Sequence, residues 1–286
     1  MPLMARLALE TTILTHGVPR DAALPLAKDL ARICLDHGAE PALVGVYRGQ
    51  PIAGISDPQL VEMLQAADVP KANSANLGAL LHRKSHASTT VAATMEIAAG
   101  AGIRVFATGG IGGVHKGFAQ HLDISADLIA LTRFPVAVVA SGVKSILDVA
   151  ATRELLETLG VPVIGFQTSE FPAFYLRSSG AGVDARFDDV ADLGAFIAAE
   201  LRRTGRGILI ANPIPVSSEL DASQFSDWLR KAEHAVGAAA HGRNATPSLL
   251  GKLHELSEGK TLQANLDLIR SNTALGARLA SSLGNH

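Results

Sequence analysis

Residues 91–113 read VAATMEIAAGAGIRVFATGGIGG. Thr89–Ala99 predicts a helix, and IRVFA (103–107) predicts a short buried strand that ends on glycines. The same couplet recurs downstream. Ser125–Thr132 reads as a helix before the strand PVAVVA (135–140), and Ser145–Leu159 as a helix before VPVIGF (161–166). Helix 188–203 then precedes GILIA (207–211). Helix and apolar strand in alternation point to a mainly parallel sheet covered on both faces.

Upstream, Arg6–Leu9 is a strand candidate. Asp21 is read as the cap of a helix that carries Leu26, Leu30, Ile33 and Cys34 on one face and stops before Gly38. Leu43–Tyr47 and Pro51–Ile55 flank Arg48-Gly49 as a hairpin. Past Asn212-Pro213 the pattern turns helical only, over 222–240, 246–258 and 261–282. The expectation is one domain over 1–286, an α/β fold with a helical C-terminal region. Segment 175–187 (YLRSSGAGVDARF) reads as a mobile loop.

Composition narrows the function classes. Of 286 residues, 48% are hydrophobic and 18% charged, and the net charge is −2 with no dense Lys/Arg block. Nucleic acid and membrane are therefore not expected as partners. The aromatic content of 4% also argues against a stacking platform for single strands. No apolar run has bilayer length, and MPLMARLALETT lacks a signal-peptide core. Cys34 is the one cysteine, so no internal disulfide can form, and the sequence has no CxxC or Cys/His zinc spacing. A cytoplasmic protein is expected.

The strand at 103–107 runs into ATGGIGGVHKG (107–117), at a strand's carboxyl end, where α/β proteins build sites. The loop is neither standard phosphate cradle. A dinucleotide fingerprint from Gly110 needs glycine where His115 stands, and a P-loop ending at Gly117 needs lysine where Phe118 stands. What remains is a turn using positive φ and close backbone approach, or backbone N–H groups lining an anion nest.

Several ionisable residues fall at strand ends. Glu10 follows RLAL, and Lys71 closes DVPK. Each alone reads as a solvated surface group. Asp123 and Asp127 lie four apart in HLDISADL. On a helix they would share a face and could hold a divalent cation, or Asp123 could simply be the helix cap. Lys144, in VVASGVKSILD, is placed at a predicted helix start. The macrodipole there disfavours an ammonium and favours the neutral amine of a Schiff-base nucleophile. Of the histidines, His115 alone is placed to face a ligand.

All of these residues but Lys71 sit in longer matching stretches: ALETTILTHGVP (8–19), STTVAATMEIAAGAGIRVFATGGIGGVHKG (88–117), DISADL (123–128), SGVKSILD (141–148), ETLGVPVIGFQTSEFPAFYLRSSG (157–180), LIANPIP (209–215) and TPSLLGKLHELSEGKTLQANLDLIRSN (246–272). In this order they resemble the pseudouridine-5′-phosphate glycosidase, or indigoidine synthase A-like, family. The resemblance implies a three-layer α/β/α fold around a central mostly parallel mixed sheet, and a homotrimer. It implies reversible cleavage of pseudouridine 5′-phosphate to uracil and ribose 5-phosphate with a divalent metal, manganese. By the same resemblance Glu10 is the catalytic acid and Lys144 the nucleophile. Lys71, Thr90, Val91, His115, Ser125, Ala126, Asp127 and Asn265 contact substrate, and Asp123 binds the metal. One stretch departs: family members carry V-S-R-R-D-L after the contacting lysine, whereas Lys71 is followed by ANSANLG, with Arg83 and Lys84 further on.

A C-glycosidic bond has a carbon leaving group, so protonating a bridging heteroatom cannot cleave it. Lys144 attacking the anomeric carbon of an opening ribose would supply the electron sink instead. The other readings are a C-glycosynthase with a different acceptor, a sugar-phosphate aldolase-like lyase, and a non-catalytic binding protein. The last of these predicts Glu10 and Lys144 far apart.

Overall fold

The computed structural model describes residues 4–237 and 245–283. Chain order begins β1 (Ala5–Glu10), α1 (Arg20–Asp36), β2 (Ala39–Tyr47), β3 (Gln50–Ala53), α2 (Asp57–Gln65), β4 (Lys71–Ala72), α3 (Leu77–His82) and β5 (Ala87–Thr89). It continues α4 (Val91–Gly100), β6 (Val105–Ala107), α5 (Phe118–His121), α6 (Ala126–Arg133), β7 (Ala137–Ala140), α7 (Val149–Thr158), β8 (Val163–Phe166) and β9 (Ala185–Phe187). It closes with α8 (Val190–Thr204), β10 (Ile208–Ala211), α9 (Ala222–Val236), α10 (Ala245–Leu256) and α11 (Lys260–Leu283). One helical turn, Ile13–Gly17, follows β1.

All ten strands join one sheet, in the order β4-β5-β2-β1-β6-β7-β10-β8-β9, with β3 also on β2. From β2 to β9 every pairing is parallel. β3 and β5 run antiparallel to the distal part of β2. Successive β1 residues Leu7 and Ala8 face opposite sides of the sheet, and both are fully buried, so both faces are covered. Helix α11 packs on β1, β6 and β7 beside α1 and α8, while α4 packs with α6 and reaches β1, β2 and β3. The fold is a three-layer α/β/α sandwich, as the alternation implies. A side chain at Gly276 would press on Leu7 at 3.0 Å, so this glycine sets how closely α11 lies on β1.

Local chemistry explains the clear elements. Helix α8 starts at Asp189, whose carboxylate accepts the N–H groups of Ala191 and Asp192 (both 2.9 Å), and buries Leu193, Ile197 and Leu201. The Arg48-Gly49 turn has positive φ at both residues (50° and 76°), the geometry a two-residue hairpin needs. Cys34 is fully buried in the core. No helix among the described residues is long and apolar enough to cross a membrane.

Several expectations need correction. Pro19 occupies the cap position of α1, and Asp21 lies in the first turn. Thr89 belongs to β5, and Thr90 precedes α4. Tyr175, expected in a mobile loop, is fully buried, and residues 185–187 form edge strand β9. The helix from Ser145 begins only at Val149, capped by Asp148. Residues 238–240, expected at the end of a helix, lie outside the described residues. The short elements α2, β4, α3 and β5 have no counterpart in the sequence pattern.

Candidate active site

From β1 the chain moves to β2 on one side, and β6 later pairs with β1 on the other. Between β1 and β6 the winding reverses, and beyond the carboxyl ends of such strands a parallel sheet leaves a crevice. A cleft lies there. Glu10 from the end of β1, Thr108 to Gly110 after β6, and Lys144 after β7 all line it. Lys71 reaches the same edge because β4 and β5 run the opposite way to β1 and β2, so the start of β4 lies level with the end of β1. Asn265 of α11, Leu250 of α10 and Phe174 close the cleft, and the Ile13–Gly17 turn forms another wall.

The charges inside act on one another. Burial pushes the Glu10 carboxyl above the usual carboxylate range, while the Lys144 charge and the Thr108 hydroxyl, which donates to it, pull it back. Lys71 is pushed down to about 8 by burial and the Lys144 charge, with Glu10 opposing. A carboxyl inclined to hold its proton and a lysine able to lose one near neutrality make an acid–base pair.

Beneath the cleft lies a buried threonine network. The Thr11 hydroxyl donates to the Val44 carbonyl (2.9 Å) and accepts the Thr89 N–H (2.9 Å). The Thr94 hydroxyl donates to that of Thr89 (2.9 Å), and Thr12 donates to the Thr89 carbonyl (2.6 Å). These bonds fix the chain directly after Glu10. On the other side Asn272, fully buried on α11, donates to the carbonyls of Thr108 (2.8 Å) and Gly109 (3.3 Å) and accepts from Asn212 (2.9 Å).

The glycine loop is shaped by lack of space. A side chain at Gly110 would meet Phe174 at 2.6 Å, one at Gly112 would overlap Ser125, and one at Gly113 would overlap Thr152. Positive φ, the other expected reason for these glycines, occurs in the loop only at Gly117. The Asp127 carboxylate accepts the N–H of Gly112 (2.8 Å) and that of Ala92 in the first turn of α4 (2.9 Å). One buried acid on α6 thus braces both the loop and a neighbouring helix start.

The sequence model for indigoidine synthase A like protein matches residues 4–282. The chain belongs to the indigoidine synthase A-like family. Among curated relatives, the pseudouridine-5′-phosphate glycosidase of Nocardioides sp. is 45% identical over 276 residues, 96% of this chain and 90% of that one. The enzyme of the same name from Alkaliphilus metalliredigens is 43% identical over 279 residues, 96% of this chain and 91% of that one. Two solved structures share the fold. An indigoidine synthase A-like protein from Thermotoga maritima superposes with a TM-score of 0.91 at 34% identity, covering 98% of this chain and 94% of that one. The prealnumycin C-glycosynthase AlnA, in complex with ribulose 5-phosphate, gives 0.90 at 30% identity, covering 98% and 92%.

In this indigoidine synthase A-like chain, Glu10, Lys71, Lys144 and Asn265 meet in the cleft. The other expected site residues do not line it. Val91 is buried at the start of α4, and the Thr90 hydroxyl donates to the Ala72 carbonyl (3.0 Å). Ser125 caps α6, its hydroxyl accepting the Asp127 N–H (3.2 Å), and Ala126 is the first residue of that helix. Asp123 lies before α6, so it shares no helix face with Asp127 and is not the cap. Its carboxylate stands 3.8 Å from His115 Nδ1.

Lys144 is five residues short of α7, so the macrodipole argument for it does not hold. Its backbone N–H instead donates to the Ile111 carbonyl (3.1 Å), tying the lysine to the glycine loop. Among histidines His16, not His115, lines the cleft. Thr12, Thr108 and Phe174 were also missed. Thr108 was discoverable as a polar residue directly after a buried strand, whereas Phe174 carried no local signal.

Among the described residues no three His, Cys, Asp or Glu side chains gather as a metal cage. Asp123 with His115 beside it suits a hydrated divalent ion held largely through water.

Proposed function

We propose that this chain cleaves the C-glycosidic bond of pseudouridine 5′-phosphate, reversibly, to uracil and ribose 5-phosphate. The observation that carries the reading is the convergence of Glu10, Lys71 and Lys144 in one cleft at the winding reversal. Relatives of that name match over 96% of the chain.

Lys144 Nζ attacks the anomeric carbon as the bond to the ring oxygen breaks, and Glu10 gives its proton to that oxygen. Loss of the amine proton restores the nitrogen lone pair. A proton delivered to uracil C5 through Glu10 then lets that lone pair expel the base, so the iminium forms at the anomeric carbon as the carbon–carbon bond breaks and its electron pair stays with uracil. Water then releases ribose 5-phosphate and restores the amine. Proton transfers of this kind contribute roughly 10²–10⁴-fold each. Lys71 contacts phosphate or base. By family resemblance Thr90, Val91, His115 and Ser125 to Asp127 are assigned to substrate, as is Asn265, which lines the cleft itself. Asp123 would hold a hydrated divalent ion, manganese by family resemblance, which supplies counter-charge for the phosphate.

The ANSANLG stretch bears on the base. Asn76 Nδ2 donates to the Lys71 carbonyl (3.0 Å), and Asn73 and Asn76 knit the turn, while neither Arg83 nor Lys84 lines the cleft. Together with the likeness to AlnA, this favours as second reading a C-glycosynthase joining ribose 5-phosphate to another acceptor. The proposed setting is a cytoplasmic homotrimer, the assembly measurable by light scattering.

The test is product analysis after incubation with pseudouridine 5′-phosphate and manganese, with borohydride trapping of ribose 5-phosphate. Uracil release and a reduced adduct on the Lys144 peptide are expected. An adduct elsewhere, or none, removes the Schiff-base role.

A further inference from the structure

The Ile13–Gly17 turn brings His16 to the rim of the cleft, in the wall that also holds Thr12 and faces Lys71. His16 Nε2 lies 3.0 Å from the Val69 carbonyl oxygen. A carbonyl only accepts, so Nε2 carries the proton. Partial burial of the ring and the Lys71 charge both hold its pKa below the ordinary value, which keeps the second nitrogen bare. The polar atom this ring has left to offer a ligand is therefore Nδ1, as an acceptor.

Besides it, the cleft holds the Asn265 amide, whose oxygen also accepts. Lys71 and Lys144 are nitrogen groups that donate when charged. The Thr108 and Thr12 hydroxyls give their protons to Glu10 and to the Thr89 carbonyl, so towards a ligand they too offer only lone pairs. Glu10 is reserved for proton transfer. A pyrimidine-dione presents carbonyl oxygens, which the donors suit, and ring N–H groups, which need an acceptor.

Resting on the pyrimidine-C-nucleotide reading above, we propose that His16 is a specificity residue whose bare Nδ1 accepts a ring N–H of the nucleobase. His16 thus separates bases with a free N–H beside a carbonyl from those in which that nitrogen is blocked. A residue that only shaped the wall would not distinguish the two.

The experiment compares kcat/KM for pseudouridine 5′-phosphate with that for its N1-methyl and N3-methyl derivatives. In the wild type one methyl derivative is expected to fall by about 10-fold, the effect of one lost neutral hydrogen bond at the exposed rim of the cleft. In His16→Ala the ratio collapses to within about threefold, mostly through loss on the unmethylated substrate. Two further variants separate the ring's nitrogens. Asn puts an amide oxygen near the place of Nδ1, so His16→Asn keeps most of the discrimination. Gln imitates Nε2, so His16→Gln loses it as alanine does. Thermal unfolding of each variant identifies any that lose the fold. Unchanged ratios in folded His16→Ala, or equal behaviour of the Asn and Gln variants, overturn the assignment while pseudouridine 5′-phosphate turnover stands. A wild type that turns over none of the three substrates overturns both readings.

Discussion

At the scale of single residues, the cleft concentrates charge that folding must bury. Lys71 is the clearest case. Its pKa is depressed to about 8, so its ammonium destabilises the folded state at every pH below that value, and the cost disappears as pH rises to the unfolded lysine range near 10.5. Lys71→Met is therefore expected to be more stable than the wild type at pH 7, by about 1–3 kcal/mol, with the difference gone above pH ~10.5. Denaturant melts at the two pH values check the sign. The same variant should lose activity, and Lys71→Arg should move the alkaline limb of kcat/KM upward from about 8. Glu10→Gln keeps the shape without the transferable proton, so kcat should drop by roughly 10²–10⁴ with the trapped Lys144 adduct reduced in parallel. Glu10 and Lys144, carried by long motifs, and Lys71, at the end of DVPK, were legible as residues that the fold brings into one cleft. Phe174 leaves no spacing to read, because it reaches the pocket from a distant loop, whereas His16 lies in the same motif as Glu10 and is marked there by nothing beyond its residue type.

At the scale of elements, what the sequence conceals is where regular structure starts. SGVKSILD reads as a helix entry, yet residues 144–148 form a turn, and the glycine that makes this possible is Gly142. It has φ +73°, and a side chain there would overlap the Pro172 carbonyl. Gly142→Ala should cost more than about 3 kcal/mol or prevent folding, measurable by urea melts. Strands of two or three residues, such as β4 and β9, have no periodicity to detect and exist only through their neighbours. Asp127 shows a similar limit. Spacing marks it as a possible ligand, whereas in the fold its carboxylate is committed to two backbone N–H groups. Asp127→Asn can keep at most one such bond through its single carbonyl oxygen if its amide nitrogen faces the other donor. It should lose about 1–3 kcal/mol of stability and loosen the glycine loop, seen as faster amide exchange at Gly112.

At the scale of the whole molecule, the α/β/α architecture was legible because each buried strand is a continuous apolar run followed by a patterned helix. The order of strands was not legible. That β1 lies between β2 and β6 depends on crossovers that no local pattern encodes, and it is this order that opens the cleft. The core also holds the chain's one thiol. Cys34 is fully enclosed, and burial pushes it up to about 12. It should therefore be silent towards maleimides and iodoacetamide at neutral pH, with no mass shift in the native protein and one after denaturation. The molecule comes ready for site-selective labelling. A cysteine placed at exposed Val216, 74% accessible, would be the one handle for a fluorophore or spin probe, with no background to remove by mutagenesis.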